Sequence, residues 1–60
     1  MTYRVKPRGN QWIVTRGGTA VSNHRLKRRA IEAARRKAPS GSKLVIYRAD
    51  GTIQGHQRVR

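Results

Sequence analysis

Sixty residues carry fifteen lysines and arginines against two acids, a net charge of +13 with both histidines neutral, so the chain is one small domain with a thin stability margin. No cysteine is present, which excludes disulfides, thiolate metal sites and a cysteine nucleophile together. Two histidines (His24, His56) and two carboxylates (Glu32, Asp50) are too few and too scattered for a metal or acid–base centre, so no enzyme, metal or cofactor is expected.

The chain opens with alternation. Tyr3 and Val5 point one way while Thr2, Arg4 and Lys6 point the other, the period of a half-buried strand. Pro7-Arg8-Gly9-Asn10 supplies turn chemistry, and Gln11 to Arg16 alternates again with Trp12 and Val14 on one face. Gly17-Gly18 marks a second turn, after which Thr19-Ala20-Val21-Ser22 is read as a short third strand. From His24, read as a helix-start residue, to Ala38 neither Gly nor Pro occurs, and Pro39-Ser40-Gly41 closes a helix expected over about residues 25 to 38. At about 100° per residue, Leu26, Ala30, Ile31, Ala34 and Ala38 fall in one arc of about 140°. Arg25, Arg28, Arg29, Glu32, Arg35 and Arg36 fall opposite. Leu44-Val45-Ile46-Tyr47-Arg48 then reads as a strand, and Asp50-Gly51 as a two-residue hairpin turn that places Leu44, Ile46 and Ile53 on one face. From about residue 56 a flexible basic tail is expected. The architecture predicted is one α+β domain over residues 1–60. It is an antiparallel sheet of two hairpins, in the order β-β-(β)-α-β-β, with one helix on one face.

The Leu44–Tyr47 run is far short of the roughly 20 residues of a membrane span. The opening Met1–Val5 lacks the apolar stretch of a signal peptide. A cytoplasmic location is the expectation, with neither a membrane nor a small-molecule substrate as partner.

These motifs resemble a known family. Tyr3-x-Val5-x-Pro7, Trp12, the glycines near position 17, Ala30-Ile31-x-x-Ala34-Arg35, Leu44-Val45-Ile46 and Asp50-Gly51-x-Ile53 are similar in order and spacing to the small microbial family called domain of unknown function 2188. The resemblance covers nearly the whole chain and implies a fold rather than an activity. Members tend to open the helix with Thr-Lys-x-Glu, a capping box. The matching positions here read Leu26-Lys27-Arg28-Arg29. Cations in a first helical turn oppose the helix dipole, which makes sense if that helix end meets phosphate.

Arginine outnumbers lysine eleven to four, and its planar fork grips phosphate bidentately where lysine acts as a point charge. A solvated helix face ordinarily mixes signs; this one has five arginines and a single acid, Glu32, spaced to pair with Arg28 or Arg36. The pattern predicts a nucleic-acid interface made of Arg25, Arg28, Arg29, Arg35 and Arg36, with Lys6, Arg8, Lys43 and Arg58 contributing from loops and strands. Duplex DNA of low sequence specificity is the expected ligand, with a nucleoid-associated role. RNA is the nearest rival, and a cationic module docking an acidic protein is the rival of another class. A homodimer is a further expectation. Tyr47, with Ile13, Val45 and His56, is read as lying on the sheet face away from the helix, and Trp12 as core.

Overall fold

The computed structural model describes residues 1–60. Its elements run β1 (Thr2–Arg8), β2 (Gln11–Arg16), β3 (Thr19–His24), α1 (Lys27–Lys37), β4 (Lys43–Tyr47) and β5 (Ile53–Arg58). The class is α+β, with one helix on one face of a five-stranded sheet. No helix is long and apolar enough to cross a membrane. The third strand extends two residues beyond Ser22, so His24 closes β3 and bonds Ser22 at 3.0 Å instead of opening the helix.

The strand order is β3-β2-β1-β4-β5. The pairs β1–β2, β2–β3 and β4–β5 are antiparallel, but β1 and β4 run parallel in the register Tyr3↔Leu44 and Val5↔Ile46. The sheet is therefore mixed, a correction to the wholly antiparallel sheet expected. The reason is the length of the connection. A hairpin turn reverses direction, whereas a long crossover returns the chain for a parallel strand. Residues 25–42, with α1 among them, carry the chain from the β3 edge back across β2 and β1, and β4 enters in the direction of β3 and β1.

Turn chemistry sets the two outer hairpins. Gly17 and Gly18 both take positive φ (57° and 84°), as a two-residue type I′ loop between Arg16 and Thr19 requires. At the second hairpin only Gly51 does (φ 90°), so the two-residue Asp50-Gly51 turn does not form. The Arg48 carbonyl instead accepts from the Gly51 N–H at 2.9 Å, and the Thr52 carbonyl accepts from the Arg48 N–H at 2.6 Å. A longer loop results. Downstream, Ile46 pairs with Gly55 and Tyr47 with Ile53, leaving Gln54 as an extra bulged residue. The bulge moves Ile53 off the face of Leu44 and Ile46, and it is 48% exposed beside Tyr47.

The core is small. Tyr3, Val5, Val14, Leu44 and Ile46 from the sheet meet Ala30, Ala34 and Ala38 from the helix, with Trp12, Val21, Ile31 and Val59 packed around them. Alanine on the helix lets it lie close to the sheet, and each fully buried aliphatic side chain contributes about 1.5–3 kcal/mol. Leu26 does not join this stripe: as the N-cap it is extended (φ −111°, ψ 140°), out of helical phase and 47% exposed. Ala33 is buried in its stead.

Candidate nucleic-acid interface

Helix α1 begins without a side-chain cap and without an acid in its first turn. Its first backbone bond runs from the Ala30 N–H to the Leu26 carbonyl, so the N–H groups ahead of Ala30 have no intrahelical acceptor. Around this end and along the outer surface Arg25, Arg28, Arg29, Arg35 and Arg36 are all exposed. Arg28, Arg29, Arg35 and Arg36 stand on α1 away from buried Ala30, Ala33 and Ala34, while Arg25 precedes the extended N-cap Leu26 and lies outside the helix. The helix carries four of the five arginines named from the sequence, and its one acid pairs with a different arginine from the two expected. Glu32 sits 4.0 Å from Arg29, with neither side chain buried, a surface pair that offsets little. Arg25, Arg28 and Arg36 have no carboxylate partner.

The second acid is committed elsewhere. Asp50 Oδ1 accepts from the Thr52 hydroxyl at 2.7 Å and from the Thr52 N–H at 3.0 Å. The hydroxyl bond first, then the backbone bond, holds its carboxyl below the ordinary 3.8. Both acids of the chain are thus accounted for, and no group of three His, Cys, Asp or Glu gathers anywhere.

The other residues picked out in the sequence do not join the ridge. Lys6 lies on the open sheet face, half-buried, with Nζ 5.9 Å from the Tyr47 ring centroid. One face of that ring is therefore occupied by a cation rather than free for a base. Lys43 pairs with Arg58 across β4–β5, and Arg8 stands exposed at the end of the first hairpin. Arg4 pairs with Thr15 and Val45; it is half-buried where both of them are buried, a stem laid over apolar surface. Residues 56–58, read as the start of a loose tail, are instead strand. Val59 is fixed beyond them: its N–H donates to the Ser42 carbonyl at 2.9 Å and its carbonyl accepts from Gly41 at 2.7 Å.

Three features escaped the sequence reading. Lys27 bonds Gln54 Oε1 across to β5, and its Nζ lies 5.1 Å from the Trp12 ring centroid. Arg35 donates to Gln57 Oε1, also on β5. Between α1 and β5 a cleft of about 400 Å³ is lined by Arg35, Gln57, Arg58, Val59 and Arg60. The available signal was glutamine at strand positions whose partners, such as Leu44 opposite Gln57, are core.

A mixed five-stranded sheet with one crossover helix, arginines along its outer face, defines a small basic α+β domain. The chain belongs to the family described as "Uncharacterized protein conserved in bacteria (DUF2188)", which it matches over residues 3–59. No curated protein and no solved structure matches it.

Proposed function

We propose that this domain binds nucleic acid without catalysing a reaction, through the arginine ridge of α1, and that duplex DNA of little sequence preference is its ligand in a cytoplasmic, nucleoid-associated role. One observation carries the reading: four exposed arginines of α1, with exposed Arg25 just ahead of its start, are accompanied by a single, weakly paired carboxylate. Concentrating like charge opposes folding unless a polyanion offsets it. Phosphates that replace the ridge's counterions release them, and that release drives binding. The uncapped N–H groups at the start of α1 point the same way, because a helix N-terminus favours anions. Contacts of this kind position a protein on the backbone and do not read bases.

If the ridge meets about four to seven phosphates, log K falls against log salt with a slope of roughly −4 to −6 on duplex DNA. Replacing Arg28, Arg29 and Arg36 together by alanine flattens that slope by about two to three, equally on all sequences. Alanine keeps helix propensity, so the loss is not one of folding. A triple variant with wild-type slope overturns the ridge. Preferential binding to duplex RNA, or to polyglutamate over DNA, moves the assignment to the RNA or the acidic-protein reading respectively.

A further inference from the structure

Strand β5 is the part of the sheet that α1 does not cover. The helix packs on β1, β2 and β3, touches β4, and makes no backbone approach to β5. We propose that the groove this leaves between α1 and β5 is the seat of one phosphodiester strand, with a phosphate held at its Arg35 and Arg60 end; the proposal rests on the nucleic-acid reading above.

The first support is the change of floor. On the helix-facing side the sheet is apolar from Trp12 and Val14 through Val5 and Tyr3 to Leu44 and Ile46. The next strand presents Gln57 opposite Leu44 and Gly55 opposite Ile46, so the row turns polar and small where the helix ends its cover. A strand there serves the core poorly but offers amide groups to a polar ligand.

The second support is Gly55 itself. Its φ is not positive, so no turn requires glycine, and a Cβ built on it meets nothing within 4 Å. Neither a positive φ nor a crowded neighbour requires glycine here, beside the bulge at Gln54, and a missing side chain weakens a strand interior. Gly55 lies on β5 between Gln54 and Gln57, the two residues bridged to α1, and leaves the strand without a side chain at that point.

The third support is how the cations are held. Arg35 donates to the amide oxygen of Gln57 in the groove, and Arg58, which stands opposite Lys43 and so leaves β5 on the other face, donates to the Gly41 carbonyl at 3.1 Å. Both acceptors are neutral, so they orient the guanidiniums without cancelling their charge, and each guanidinium keeps further N–H donors for a ligand. No Asp or Glu side chain lines the cleft. The two bridges across the groove, Lys27–Gln54 and Arg35–Gln57, are about 12 Å apart along the helix and about 10 Å along the strand. The groove is therefore a channel with a cation at each end rather than a point site.

The deciding experiment changes shape and leaves charge alone. Gly55→Val keeps the net charge at +13 and puts a side chain suited to strands at that point. Its melting temperature is expected to equal or exceed that of the wild type. Affinity for a duplex, and for a single strand of the same sequence, falls about tenfold or more, the loss of a charge-assisted phosphate contact. Gly55→Ala should fall between the two. A second pair guards against misfolding: Arg35→Gln and Arg28→Gln each remove one charge, and the groove predicts the larger loss for Arg35→Gln. A folded Gly55→Val that binds like the wild type, or equal losses in the arginine pair, overturns the groove while nucleic-acid binding stands. A wild-type chain that binds neither polymer overturns the functional reading and the groove with it.

Discussion

The two sides of this sheet differ in what they were built against. Under α1, strands β1 and β2 present Tyr3, Val5 and Val14, all buried, and each is a residue whose removal leaves a hole. Strand β5 presents Gln57, Gly55 and the bulged Gln54, all at least partly open to solvent. The same helix serves both: its alanine stripe seals the first region, and its flank, through Lys27 and Arg35, reaches toward the second. The contrast teaches that in a sixty-residue domain one helix cannot cover five strands, and that the uncovered remainder is where polar chemistry collects.

The largest effect that tests this contrast lies in the core. Leu44→Ala, at a fully buried position, should cost about 2–5 kcal/mol, enough to unfold most of a domain this small. The paired change Gln57→Ala should stay within about 0.5 kcal/mol. Chemical denaturation of both measures the difference, and equal losses would erase the distinction between the two regions.

A second test sets stability against binding at the start of α1. Leu26→Asp gives the helix the cap and the first-turn anion it lacks. It should raise stability by about 1 kcal/mol, because an N-cap leucine that is 47% exposed contributes little packing. Duplex affinity should fall at the same time. A gain in stability with unchanged affinity would take the helix terminus out of the interface.

A third follows from self-repulsion among fifteen cations. Sulfate or a polyanion should raise the melting temperature, more for the wild type than for the triple ridge variant.

The smallest effect sits in the last hairpin. Thr52 holds the Asp50 carboxyl below 3.8, so the folded state has the lower pKa. Its stabilising contribution is fully present above about pH 4 and is lost as the pH falls through the depressed folded value. The Thr52 amide resonance should report that titration, and Asp50→Ala should abolish it. Thr52 shifting with an ordinary carboxyl titration would mean that the bond is not formed in solution.

Much of this molecule was legible in local pattern. The alternation in Tyr3–Lys6 and Gln11–Arg16, the breaker-free stretch ending at Pro39, and the β-branched run Leu44–Ile46 each state a period, and period decides helix or strand. The outward placing of Arg28, Arg29, Arg35 and Arg36 was readable for the same reason, since helical phase follows from sequence once α1 exists, whereas Arg25 falls ahead of the extended N-cap. Family membership followed from the order of those motifs.

What sequence could not decide were relations between segments distant in the chain. The parallel pairing of β1 with β4 depends on where the crossover lands. The exposure of Ile53 depends on a bulge at Gln54, because a one-residue slip sends every later side chain to the other face. The cleft formed by Arg35 with Arg58 and Arg60 joins residues more than twenty positions apart, and no spacing rule connects them. Local chemistry chose the elements and the charge of the helix face; only packing chose which strand the helix left uncovered.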